Sequence, residues 1–344
     1  MQLFAVCCTL YFSVKLGEKE RAGNNISQMS IVTLSSQKVS FQTKLNTELV
    51  LNNRTGAVPS AIHQLESLYN AVVKVDRGEE ERYRDILHFV VDTVLLNARK
   101  FSPDFAQLYR ETYYGGSFFD GLKVGSTSQE FDLNIVFSWR SNNLVITGLG
   151  TDEKKPNFCY MKDTRQGQSI EGDSIVDKPW LFGDPTISPL KMFQVLQSSV
   201  DRALTKMDNE VNYHGQIYRT TTQVNAPLTL KVVGQNNNMA FEVDLVPSLK
   251  LGMDALPRDF LLPNNVLNHL SYRGGIGGSY FMAISLHKAD REKFELDFHD
   301  LERAVLFDRG CVKKVIKLMK YLRDIKGGPM AKLWSHLLKV RTLP

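Results

Sequence analysis

The run Glu130-Phe131-Asp132-Leu133-Asn134-Ile135-Val136-Phe137 constrains the fold of this chain more than any other stretch. β-Branched and aromatic residues fill it, and its first half alternates polar with apolar, so it predicts a strand. Side chains two apart on a strand share a face. Glu130 and Asp132 therefore stand side by side, with Phe131 and Leu133 on the opposite face. Adjacent carboxylates repel unless a positive charge lies between them. A hard divalent cation meets that need, and Mg²⁺ commonly takes one or two carboxylates plus substrate phosphates. Just upstream, Gly115-Gly116-Ser117-Phe118-Phe119-Asp120-Gly121-Leu122-Lys123-Val124 reads as a backbone turn presenting a free hydroxyl.

A third acid follows much later. Phe241-Glu242-Val243-Asp244-Leu245-Val246 is strand-like, and alternation sends Glu242 and Asp244 to the face opposite Phe241, Val243 and Leu245. An acidic pair on a strand is most often a solvated face. A Gly-Ser turn, an acidic pair and a later strand-borne acid together are the pattern of nucleotidyl transfer.

The flanking residues narrow the pattern. The run GGSFFDGLKV…EFDLNIVF, followed by Lys317-Leu318-Met319-Lys320-Tyr321-Leu322, closely resembles the cyclic GMP-AMP synthase family and its invertebrate cyclic GMP-AMP synthase-like receptors. The resemblance covers roughly Ile62 to Lys339. It implies an α+β nucleotidyltransferase fold: a mixed catalytic sheet braced by a long helix, plus a helical C-terminal lobe. It implies Glu130, Asp132 and Asp244 as catalytic residues and as ligands of Mg²⁺ or Mn²⁺. Ser117, Asp244, Glu302, Lys320 and Ser335 are the implied nucleotide contacts. The implied activity joins ATP and GTP into a cyclic dinucleotide second messenger in innate antiviral defence. Double-stranded RNA is the implied activator, and the cytoplasm the implied location.

This sequence departs from the vertebrate synthases in three places. Their zinc-binding thumb is replaced by Gly310-Cys311-Val312, so no structural zinc is expected. Their Arg-x-Ser-Phe-Ser-x-x-Glu segment becomes Glu295-Leu296-Asp297-Phe298-His299-Asp300-Leu301-Glu302. An acceptor-only carboxylate cannot replace a guanidinium donor fork without changing what is read. Their helices continue well past the Ser335 region, so the C-terminal lobe is expected to be incomplete here. The altered segment and short end leave a second reading open, a catalytically inactive relative that binds or scaffolds.

The rest of the chain reads as follows. Residues 1–60 form an unassigned extension, 61–260 the catalytic core and 261–344 the helical lobe. Met1 to Leu16 is apolar, but it lacks a basic start and a small-residue cleavage site, and it is too short and interrupted to span a membrane. Helical spacing marks Ala61 to Val75. It also marks a longer helix through Ile86, Leu87, Val90, Val91, Val94 and Leu95, ended by Ser102-Pro103. Leu144 to Leu149 predicts a strand, Thr151 to Pro189 loops, and Leu190 to Met207 a helix. Strands are expected over Ile217–Gln223, Leu228–Val233, Met239–Val246 and Tyr280–His287. Helices are expected over Phe294–Phe307, Val312–Ile325 and Met330–Val340. Arg273 to Ser279 is glycine-rich but fits no phosphate-loop pattern and reads as a connector. Four scattered cysteines make neither a disulfide framework nor a zinc site and suit a reducing cytosol. A net charge of +5 is compatible with nucleotides or a nucleic-acid backbone and demands neither. Lys191, Arg202 and Lys206 read as ordinary solvated residues.

Overall fold

Glu79, Glu80 and a run of apolar residues at helical spacing make Arg77–Phe101 the longest helix, with acids in its first turn and Arg99 and Lys100 in its last. Both ends complement the helix dipole. In this computed structural model the described residues are 61–73, 77–124, 129–138, 144–149, 158–163, 186–224, 227–235, 239–252, 255–256, 280–285, 292–306 and 310–326. Helix α1 (Ala61–Leu68) runs into a π-helical turn, Tyr69–Val73. The long helix is α2. Its stripe Ile86, Leu87, Val90, Val91, Val94, Leu95 and Ala98 is buried. Each large aliphatic residue so buried contributes about 1.5–3 kcal/mol.

Ser102-Pro103 ends α2 and also starts α3 (Pro103–Leu108): Ser102 is the N-cap, its hydroxyl accepting from the Phe105 amide, and proline follows it. Then come β1 (Tyr109–Gly115), a one-turn helix α4 (Gly116–Phe119) and β2 (Glu130–Phe137). β3 (Leu144–Thr147) and β4 (Phe158–Asp163) follow, then α5 (Pro189–Lys206), which packs on α2 through a face that includes Met192, Phe193, Leu196 and Val200. β5 (Glu210–Tyr213), β6 (Gln216–Val224), β7 (Leu228–Gly234), β8 (Ala240–Gly252), β9 (Tyr280–Ser285) and β10 (Phe294–Asp297) complete the strands among the described residues. Helices α6 (His299–Leu306) and α7 (Gly310–Lys326) follow.

The strands form one mixed sheet centred on β8. The order is β3-β4-β10-β9-β8-β7-β6-β5, with β2 on the other edge of β8 and β1 beyond β2. β2 lies parallel to β8, Glu130 facing Glu242 through Phe137 facing Leu249. β7 and then β9 occupy the opposite edge of β8 in turn, antiparallel. This is the expected α+β architecture, a mixed sheet braced by a long helix.

Two local expectations differ from the structure, and one strand was not anticipated. Phe294–Phe307 is a strand followed by a helix. Phe294 and Leu296 alternate with half-buried acids, a period of two, and helical spacing begins only at His299. Residues 158–163, read as loop, form β4: the apolar Phe158, Cys159 and Met161 are buried although their flanks are rich in loop residues. β1, not anticipated, carries tyrosines and Glu111 at half-buried positions beside an exposed Arg110, with no clean alternation. The sheet also continues past residue 260 through β9 and β10. The expected segments at 1–60, 273–279 and 330–340 lie outside the described residues, as does Ser335. No described helix is long and apolar enough to cross a membrane.

Candidate active site

The parallel register sets Asp132 of β2 opposite Asp244 of β8, with Glu130 two residues before Asp132 on the same face. The alternate residues Phe131, Leu133, Val243 and Leu245 are buried on the other face, which anchors both strands. Two of the predicted acids come from one strand and the third from its neighbour, so the sequence separation of more than a hundred residues closes to one row.

The Gly-Ser turn is held against this row. Gly115 at the end of β1 is the register partner of Asp132. Gly116 has φ +75°, and a Cβ placed on it would fall 2.2 Å from Asp132 Oδ2. Glycine is therefore required there twice, by backbone conformation and by the carboxylate beside it. The turn closes through Asp120 N–H to Gly116 O at 3.1 Å and Leu122 N–H to Ser117 O at 2.7 Å.

Lys320, expected as a nucleotide contact, does reach the turn. Its Nζ donates to Ser117 Oγ at 2.6 Å, although the residue is only 7% exposed. A small apolar cluster of Leu122, Leu306 and Ile316, with Val312 and Met319 against it, brings α6 and α7 to the turn. Glu302 is half-buried on α6. Its neighbour Arg303 spans to the turn, donating Nε to Asp120 Oδ1 at 3.3 Å and Nη2 to Tyr114 O at 2.8 Å. The segment that breaks the vertebrate pattern packs at the end of β1. His299 stacks on Tyr113, and its Nδ1 lies 3.1 Å from Asp297 Oδ1. Tyr113 donates to Asp300 Oδ1 at 2.7 Å.

The electrostatics are those of an acidic row with lysines at its margins: Lys123 feels Glu130 and Asp132, and Lys231 pairs with Glu242 at 3.0 Å. Burial raises the Asp244 carboxyl to about 6; a hydrogen bond from Thr229 opposes the rise, and the charges of Asp132, Glu130 and Glu242 add to it. Burial lowers Lys123 to about 8, opposed by Glu130, Asp132, Glu79 and Glu80. Lys123 donates to Gln129 Oε1 and lies over the rings of Phe118 and Phe131. Lys317 is likewise lowered by burial, with Glu80 opposing.

A donor set of carboxylate oxygens on one face, with one carboxyl raised by burial and then by its acidic neighbours, fits a hard divalent cation. Among the described residues no group of three histidine, cysteine or acidic side chains is drawn together closely enough to hold an ion as the side chains stand. The fit thus lies in backbone register and donor chemistry.

Thr229, Lys231, Arg303 and Asp120 join the site only in the folded structure. Asp120 lies inside the recognised run, and its 6% exposure is the mark of a partnered acid. The roles of Thr229 and Lys231 depend on the β7–β8 register, which no local pattern carries.

A model of the Mab-21 protein nucleotidyltransferase domain matches residues 118–307, more than half of the chain. The chain is 24% identical over 274 residues to the cyclic GMP-AMP synthase-like receptor of Nicrophorus vespilloides, covering 78% of this chain and 71% of that one. It is 22% identical over 284 residues to the same-named receptor of Microplitis demolitor, of which it spans only 49%. It is 28% identical over 240 residues to cyclic GMP-AMP synthase-like receptor 1 of Drosophila simulans, covering 65% of this chain and 56% of that one. The acidic row, the turn that abuts it and these matches agree: the chain belongs to the Mab-21 nucleotidyltransferase family, alongside the insect cyclic GMP-AMP synthase-like receptors.

Proposed function

We propose that this chain is a metal-dependent nucleotidyltransferase that makes a cyclic dinucleotide of the cyclic GMP-AMP type from ATP and GTP. Double-stranded RNA is the trigger in this reading, and the setting is innate antiviral defence in the cytoplasm. The observation that supports it most is the facing of Asp132 and Asp244 across β2 and β8, with the Ser117 turn against Asp132.

Glu130, Asp132 and Asp244 would hold one or two Mg²⁺ or Mn²⁺ ions. Such an ion would lower the pKa of an attacking ribose hydroxyl and neutralise the leaving pyrophosphate. Ser117 and the amides of α4 would grip the β- and γ-phosphates, because glycine lets the backbone come close. Lys320, already bonded to Ser117, supplies a point charge to the same phosphates. Asp244 would accept the hydroxyl's proton. Glu302 and Ser335 complete the nucleotide contacts. A first round yields a linear dinucleotide, and a second closes the ring after it turns over.

The test is to incubate the chain with ATP, GTP and Mg²⁺ or Mn²⁺, with and without double-stranded RNA, and to identify products by mass spectrometry. A cyclic dinucleotide is expected, absent in Asp132→Asn and Asp244→Asn. A backbone-driven response to RNA weakens steeply with salt. No product under any condition, with nucleotides still bound, would favour the scaffolding alternative. The altered segment Glu295 to His299 is the feature on that side.

A further inference from the structure

Four carboxylates, and not three, stand on the catalytic face of the β2–β8 pair. Register sets Glu130 opposite Glu242 and Asp132 opposite Asp244, so the acids occupy the corners of a small rectangle. Charge alone does not choose among them. An ion held by Glu242 instead of Asp244 would sit two residues down the strands, away from the turn that abuts Asp132.

β7 distinguishes the two acids of β8. Its antiparallel register puts Thr229 beside Asp244 and Lys231 beside Glu242. Each side chain makes the contact that the register allows. Thr229 Oγ1 donates to Asp244 Oδ1 at 2.7 Å. Lys231 Nζ lies 3.0 Å from Glu242 Oε1. The consequences differ. A hydroxyl donor engages one carboxylate oxygen, fixes the rotation of the group and leaves its charge for a cation. An ammonium cancels the charge, so its partner competes poorly for a metal. Thr229 is 6% exposed, so its hydroxyl is held within the fold and not drifting in solvent.

We propose that β7 sorts the four acids: Thr229 is a positioning residue that presents Asp244 to a divalent cation, and Lys231 withholds Glu242 from it. This inference rests on the nucleotidyl-transfer reading. It extends the site by one strand and predicts which carboxylates are dispensable.

The test uses the full chain and Mn²⁺, with free Mn²⁺ followed by electron paramagnetic resonance and product formation followed in parallel. Thr229→Val should weaken Mn²⁺ binding about 10- to 100-fold, the range for groups that orient metal ligands. Half-saturation by nucleotide at saturating Mn²⁺ should not move, and Thr229→Ser should restore binding. Glu242→Gln alone should leave Mn²⁺ binding as it is. Lys231→Met should shift the binding curve, and adding Glu242→Gln should return it to that of the wild type. If Thr229→Val folds poorly, Thr229→Ser and Thr229→Ala are compared at equal folded fraction, and only the serine should bind normally. Normal Mn²⁺ binding by a folded Thr229→Val overturns the proposal alone, as does a Glu242→Gln defect as large as that of Asp244→Asn. A wild type whose Mn²⁺ binding ignores Asp132→Asn overturns the nucleotidyl-transfer reading together with it.

Discussion

Gly116→Ala separates the two demands made on the Gly-Ser turn. Gly116 and Gly121 both have positive φ, +75° and +68°. Alanine at either position costs about 1–2 kcal/mol of backbone strain. The two differ in what the new methyl meets. At Gly121 the nearest atom is Lys313 Nζ at 3.9 Å, an ordinary contact with the end of a flexible chain. At Gly116 it meets Asp132 Oδ2 at 2.2 Å, with Asp132 Cβ and Cγ at 3.0 Å. Relieving that overlap moves the carboxylate by roughly 1 Å, a misplacement that costs on the order of 10²-fold in rate when it strikes a catalytic constellation. The assay pairs urea unfolding with initial rates of pyrophosphate release for both variants. Similar losses of stability are expected, with the rate collapsing in Gly116→Ala and largely kept in Gly121→Ala. Equal rates in the two variants would refute the placement of Asp132 at the reacting centre.

Three further outcomes follow from the same geometry. Lys123 has a folded pKa of about 8, below its ordinary 10.5, so its buried charge costs stability below pH 8 and the cost is relieved as pH rises from about 8 to about 10.5. Urea unfolding of Lys123→Met against the wild type should therefore show the variant's relative gain at pH 7 shrinking toward pH 10.5; a pH-independent difference contradicts this. Lys320→Ala should raise the half-saturating ATP concentration by about tenfold or more, the value of one charge-assisted hydrogen bond, as read by nucleotide titration. Arg303→Ala strips the buried Asp120 of a partner, with Asp120's side chain 5% and Arg303's 40% exposed. A loss of about 1–3 kcal/mol is expected in urea unfolding, partly recovered in Arg303→Ala/Asp120→Asn.

The fold was legible where burial follows a simple period. The stripe of α2, the alternation at Glu130 to Leu133 and at Phe241 to Leu245, and the amphipathic α7 all declare themselves in the chain order. β1 did not, because Tyr113 and Tyr114 are half-buried against α6 residues that arrive from nearly two hundred residues away. The helix expected from Phe294 failed because a four-residue strand carries too little periodicity to compete with the helix behind it. The acids of the candidate site stood out because their type and spacing are chemically distinctive, and strand register sets them side by side. Their supports were not. Thr229, Lys231 and Arg303 are ordinary residues until strand register and helix packing bring them to an acid.

Asp132 and Asp244 act as one site in the proposed function. The most direct test is incorporation of α-³²P-labelled ATP into phosphodiester product by the wild type, Asp132→Asn and Asp244→Asn, each with Mn²⁺, at equal folded fraction. Product is expected from the wild type and none above background from either variant. Undiminished product from a folded Asp132→Asn or Asp244→Asn contradicts the proposed function.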